Sequence, residues 1–229
     1  MHDYKEFLRA LHGEPGRVTL AEPFIPRVIA EQLIWRRGKQ LWDTPEHYVS
    51  TLCELYAYIK ADVVFIDTRS FDARELVSYS HLLPNQMKFV AVADNLSMNE
   101  AIADDSICAV ISEDIGTAAA ISEKLCVYLC RDRDDSVYTK IEDAAREGFA
   151  GIYLPLLDEK IIEAAYDRGI MPMGGVGTEH INKTQPLDIY NRIERLTEKG
   201  LRMVGSGGFG ESVEYLGFIS LLGKYAKLI

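Results

Sequence analysis

The sequence predicts an α/β protein: a single (β/α)8 barrel of the TIM type, preceded by an N-terminal helix. Two observations carry this reading. Eight short runs rich in β-branched and aromatic residues recur along the chain, each followed by a polar, amphipathic segment at helical spacing. The runs are apolar nearly throughout rather than alternating, which suits parallel strands covered on both faces. A third observation bears on the rival, an open doubly wound sheet. The first strand-to-helix connection, "AEPFIPRVIAE", contains no G-x-G-x-x-G, which excludes the dinucleotide-binding version of that fold. Eight is also the count at which parallel strands joined by right-handed crossovers close into a ring.

Taken in order, residues 3–12 mix charged and apolar positions at helical spacing and are expected to cover the N-terminal end of the barrel. The first strand reads "RVTLAEPF" (17–24), and "VIAEQLIWRRG" (28–38) and "HYVSTLCELYAYIK" (47–60) are helical patterns after it. "DVVFIDT" (62–68) is the second strand, before the helical "ARELVSYSHLL" (73–83). "KFVAVAD" (88–94) and "CAVISED" (108–114) follow, separated by "MNEAIAD" (98–104). After "GTAAAISEK" (116–124) come the strands "LCVYLC" (125–130), "GIYLPL" (151–156) and "IMPMGGV" (170–176), alternating with "SVYTKIEDAAREG" (136–148) and "EKIIEAAYDRG" (159–169). "PLDIYNRIERLTEKG" (186–200) has an apolar stripe and a glycine stop at Gly200. The last strand is "RMVGSGG" (202–208), and the apolar helix "SVEYLGFISLLGKYAKL" (212–228) closes the chain.

A length of 229 residues fits one barrel, and no Pro/Gly/Ser-rich linker divides it, so a single domain over 1–229 is expected. With 48% hydrophobic and 26% charged residues the composition is that of a soluble globular protein. No run approaches the ~20 apolar residues of a membrane span. The first residues lack the basic, apolar and small-residue succession of a secretory signal, so the cytoplasm is the expected location. A formal charge of −10 repels a phosphodiester backbone and argues against nucleic acid as a partner. Cys53, Cys108, Cys126 and Cys130 form no C-x-x-C and read as reduced core thiols.

Chemistry in such a barrel belongs at the C-terminal ends of the strands. The residues there are Glu22, Asp67 with Arg69, Asp94 with Asn95, Glu113 with Asp114, Arg131, Tyr153, Gly174 with Gly175, and Ser206 with Gly207 and Gly208. Asp94 and Asp114 also suit a simpler role as caps of the following helices. Glu22 and Asp67 interrupt or end apolar strands, where an unpartnered carboxylate is costly, so each calls for a base, a metal or a ligand. Arg27 and Arg69 are the candidate partners in a purely structural pair. Mg²⁺ could join converging carboxylates. No oxygen-ligand motif of fixed spacing marks such a site, so no cofactor is expected, with Mg²⁺ as the alternative.

The loops "MGGVGTEHI" and "VGSGGFGES" occupy the places where barrels commonly build an anion site from backbone N–H groups. Glu211 lies close by and opposes an anion there. His2, His12, His47, His81 and His180 are scattered without H-x-H, H-x-C or H-E-x-x-H, which excludes zinc of the usual kinds. Only His180 lies beside a site loop. The absence of a G-x-S-x-G elbow, a P-loop and a catalytic-cysteine signature argues against acyl transfer by a nucleophile and against nucleotide hydrolysis.

Three segments resemble the uroporphyrinogen decarboxylase superfamily. "YKEFLRALHGEPGRVTLAEPFIP" looks like its opening helix and first strand. "TPEHYVSTLCELYAYIKADVVFIDT" is similar to its second helix and strand, with the F-x-D on Phe65, Ile66 and Asp67. "GIMPMGGVGTEHINKTQPLDIYNRIERLTEKGLRMVGSGGFG" resembles its "GGVD" strand, helix and S-G-C-G strand. The resemblance implies a barrel whose mouth binds a polycarboxylate tetrapyrrole without a cofactor, the strand-two aspartate, here Asp67, holding the pyrrole N–H groups. In the methyltransferase branch it implies instead a thiol and a methyl-corrinoid partner.

Where the decarboxylases carry an arginine-rich R-Q-A-G-R-Y, this chain has "EPFIPR", with Arg27 alone nearby, and where they have S-G-C-G with a following His, it has Ser206, Gly207, Gly208 and Phe209 and no His. The methyltransferase branch's H-x-C zinc ligands are absent. The reading is therefore a decarboxylase-like barrel doing lyase or transfer chemistry on a small anionic substrate, rather than uroporphyrinogen decarboxylation itself. Asp67 and Glu22 are its catalytic candidates, and Arg27, Arg69 and Arg131 its charge partners. The alternatives are an enzyme of a phosphorylated small molecule, or a non-catalytic subunit binding a corrinoid or a protein. Trp35, Trp42 and the final helix suggest a homodimer surface.

Overall fold

The computed structural model describes residues 2–25, 30, 44–68, 73–93, 103–121, 124–175, 186–207 and 213–228. Eight strands form one parallel sheet: β1 (Thr19–Leu20), β2 (Val64–Asp67), β3 (Phe89–Val92), β4 (Ile107–Ser112), β5 (Leu125–Leu129), β6 (Gly151–Leu154), β7 (Met171–Gly175) and β8 (Met203–Gly205). Their order is β1-β8-β7-β6-β5-β4-β3-β2, so every strand from β2 onward lies beside its sequence neighbour and β8 returns to β1. The helices are α1 (Tyr4–Leu11), α2 (Pro45–Tyr58), α3 (Ala73–Ser78), α4 (Thr117–Ala120), α5 (Ser136–Arg146), α6 (Glu159–Asp167), α7 (Pro186–Glu198) and α8 (Val213–Ala226). This is the α/β TIM-type fold that the sequence predicts.

Nearly every strand residue is buried, as continuous apolar runs require of a sheet covered on both faces. α1 does what its position suggested. Asp3 caps it by accepting the Lys5 N–H at 3.0 Å, and its apolar side enters the N-terminal opening. Phe7 packs edge-on against Phe65 at 5.9 Å. Leu11 reaches Gly151 of β6, where a side chain would displace it.

Among the described residues no ladder joins β1 to β2. The two edges are linked by side chains instead. At the N-terminal end Asp62, wholly buried, accepts from Arg17 at 2.6 Å, from the Asp3 N–H at 3.0 Å and from Lys227 at 3.4 Å. Towards the other end, the buried Tyr56 of α2 donates its hydroxyl to the Glu22 carbonyl at 2.7 Å.

β1 is much shorter than the 17–24 that composition suggests. Ala21 still donates to the Val204 carbonyl at 2.7 Å, and beyond it the chain no longer follows a partner strand. The predicted helix 73–83 divides into α3 and a 3-10 turn at Ser80–Leu82. The helix read over 116–124 is cut to the single turn of α4, where Ile121 leaves helical backbone. The helices read at 28–38 and 98–104, with Trp35 and Trp42, lie wholly or mostly outside the described residues.

Candidate active site at the barrel mouth

Glu22 follows β1 by two residues, at the end of the barrel where parallel strands deliver their C-termini, and it is only 1% exposed. A carboxylate there must be satisfied by the protein. β8 supplies the partner: the Ser206 N–H donates to Oε2 at 2.7 Å and the Ser206 hydroxyl to Oε1 at 2.9 Å. One residue therefore grips both carboxylate oxygens and fixes the plane of the group.

Tyr153, at the third position of β6, stands beside this pair. Its phenol oxygen accepts the Gly207 N–H at 3.2 Å. Burial, and after it the negative charge of Glu22, hold the phenol well above its ordinary pKa, so it keeps its proton throughout the neutral range. Tyr56 is raised in the same way, by burial and then by Glu22.

These residues open onto a cavity of about 210 Å³ lined by Glu22, Phe24, Leu129, Arg131, Arg133, Tyr153, Pro155 and Gly207. Phe24, Leu129 and Pro155 give it an apolar wall. Arg131 and Arg133, from the segment after β5, bring positive charge to its rim. Arg131 is set from two sides, since Nε and an Nη donate to Glu113 at 2.9 and 2.5 Å and the guanidinium lies 5.6 Å from the Phe24 ring. The arrangement places a fixed, buried carboxylate and a protonated phenol on the floor of a small pocket with guanidinium groups above. It can bind an anion at one end and accept or donate a hydrogen bond at the other.

The glycines of β7 and of the segment after β8 serve the packing of the strand ends. A Cβ on Gly175 or Gly207 would collide with the Pro155 carbonyl, and one on Gly174 with the Leu154 carbonyl. Gly207 also needs its left-handed φ of 74°. These residues let the ends of β6, β7 and β8 close on one another. The Ser206 and Gly207 amides, which an anion cradle would use, are turned to Glu22 and Tyr153.

Of the residues singled out in the sequence, Glu22, Arg131, Tyr153, Ser206 and Gly207 come together. Glu113 joins them through Arg131. Asp67 ends β2, half-buried, and is not among the residues lining this cavity. Arg27, Arg69, Asp94, His180 and Gly208 lie outside the described residues. Arg133, Phe24, Leu129 and Pro155 were not anticipated. Arg133 follows the flagged Arg131 by two residues in "RDR", the one signal that could have found it. Among the described residues no cluster of three or more His, Cys, Asp or Glu side chains could hold a metal ion, and none of the helices is long and apolar enough to cross a membrane.

No family model matches the chain, and no curated protein matches it in sequence. Solved structures do match in shape. A methyltransferase from Methanosarcina mazei superposes with a TM-score of 0.66 at 12% identity, over 100% of this chain and 99% of that one. The carboxyl transferase domain of Rhizobium etli pyruvate carboxylase gives 0.56 at 11% identity, over 96% of this chain and 50% of that one. An archaeal fructose 1,6-bisphosphate aldolase gives 0.51 at 13% identity, over 86% and 98%. At these identities the likeness is one of fold.

Proposed function

We propose that this barrel is an enzyme of lyase or group-transfer type acting on a small anionic molecule held in its mouth. Arg131 and Arg133 meet the anion, and Glu22 serves the reacting end as acceptor of a hydrogen bond or proton. One observation carries the reading: a buried carboxylate, Glu22, shares a pocket of about 210 Å³ with two arginines, Arg131 and Arg133. Folding an ionisable group into that position costs several kcal/mol that a purely structural mouth would avoid.

The shared architecture with a methyltransferase and a carboxyl transferase domain is in keeping with transfer chemistry. The resemblance to the uroporphyrinogen decarboxylase superfamily suggests decarboxylation as the lyase variant. The zinc of the methyltransferase branch is not part of the proposal, because this chain has no H-x-C. Uroporphyrinogen is not proposed as substrate, nor is a phosphoester, since the Ser206 and Gly207 amides are given to Glu22 and Tyr153. No resident cofactor is required. A soluble protein working in the cytoplasm, as a homodimer, completes the reading.

Calorimetric titration of the purified protein with small carboxylates and with inorganic phosphate tests it. A carboxylate is expected to bind saturably, and Arg131→Ala together with Arg133→Ala to weaken it by about tenfold or more, the scale of a lost charge-assisted hydrogen bond. Failure of every small anion to bind, or indifference to loss of both arginines, would remove the proposal.

A further inference from the structure

One cavity-lining side chain, Tyr153, carries a hydrogen-bond donor. Tyr153 is 5% exposed and lines the pocket. Its oxygen already accepts the Gly207 N–H and is hydrogen-bonded to the Ser206 side chain, so a ligand must compete with Ser206 for the phenol's proton. That proton can turn towards the neighbouring Ser206 hydroxyl or towards the cavity. The Ser206 hydroxyl in turn gives its own proton to Glu22. A ligand oxygen arriving beside Tyr153 can draw that proton away from Ser206, and a neutral acceptor is what suits it. A second carboxylate would have to approach the negative charge of Glu22, which burial leaves poorly screened.

We propose that the mouth selects a short monocarboxylic acid carrying a second, neutral oxygen, and that Tyr153 O–H is the group that recognises this oxygen. The acid's carboxylate lies on Arg131 and Arg133, and its carbon chain against Phe24, Leu129 and Pro155. This deepens the reading above and rests on it for the carboxylate end. Persistent protonation of the buried phenol is in accord, because a phenol that ionised near neutrality would lose its one donor.

Four probes of similar size separate the contributions: butanoate, 2-oxobutanoate, 4-oxopentanoate and succinate, each titrated calorimetrically at pH 7. At least one of the two oxo acids is expected to bind about tenfold more tightly than butanoate, the effect of one well-made buried hydrogen bond. Succinate is expected to bind no better than butanoate. Tyr153→Phe should abolish the oxo-acid preference, read as the ratio of oxo-acid to butanoate affinity within that variant.

The ranking on the unmodified protein stands as a test even if Tyr153→Phe fails to fold. Oxo acids binding no tighter than butanoate, succinate binding tighter than either oxo acid, or a preference that survives in a folded Tyr153→Phe protein would each overturn the proposal while the anion site itself stands. Absence of binding by all four would overturn both.

Discussion

Glu22 shows how a single side chain can be read from sequence and where that reading ends. A glutamate directly after "VTLA" is conspicuous because a buried carboxylate needs a partner. The partner, Ser206, is 184 positions away, and only the tertiary fold, which pairs β1 with β8, brings it within 2.7 Å. The same holds for Tyr153 and Gly207. Of the site residues that sequence does not flag, Phe24, Leu129 and Pro155 have no chemistry of their own and become wall only through their placement. The Ser206 grip leads to an ordered pair of outcomes. Glu22→Ala leaves the Ser206 N–H buried without its acceptor, a loss of about 2 kcal/mol. Glu22→Gln keeps an oxygen for that N–H and offers an amide to the hydroxyl, so its cost is expected to be well below that of alanine. Urea unfolding of the two variants measures the order, and a glutamine variant less stable than the alanine one would show that the charge itself is required for the fold.

At the scale of elements, the strands were legible because their apolar runs are local signals, and their positions hold to within a few residues. β1 was overextended because "RVTLAEPF" carries strand composition past the point where a partner exists. Helix-to-barrel packing was not legible at all. α8 illustrates why, since Gly223 looks like a weak point in a helix, where glycine costs roughly 1 kcal/mol against alanine. In the structure its missing side chain lets α8 lie on the end of α2, and a Cβ would run into the Ile59 carbonyl, with the Leu20 side chain of β1 next nearest. The two effects oppose each other. Overpacking against backbone costs about 1 to 3 kcal/mol because a main-chain carbonyl at the end of α2 cannot rotate aside as a side chain would. Gly223→Ala is therefore expected to lower the thermal midpoint despite its higher helix propensity. A raised midpoint would mean that α8 is not seated as closely as described.

For the whole molecule, the core holds acids that ionise readily only when the chain unfolds. Burial pushes the Cys53 and Cys108 thiols from 9.0 up to about 12, and Tyr56 and Tyr153 stand well above their ordinary 10.0. A group whose pKa is raised by folding contributes its full share of stability below its unfolded pKa. That share is lost as pH climbs towards the folded value, because the unfolded chain releases the proton first. Each group then removes up to about 1.4 kcal/mol per pH unit. Lys227, lowered chiefly by burial, acts in the opposite sense just below 10.5, but it is one group against several. Between pH 9 and 11 the two thiols alone should withdraw on the order of 4 kcal/mol, a large part of the ~5 to 15 kcal/mol that holds a domain folded. Under reducing conditions the urea midpoint is expected to fall steeply over that interval, and Cys53→Ala with Cys108→Ala to flatten the slope even though it lowers the starting stability. A midpoint that stayed level from pH 8 to 11 would mean that these thiols meet solvent in the folded state, and with it that the packing around Cys53 in α2 and around Cys108 in β4 is far looser than their burial implies.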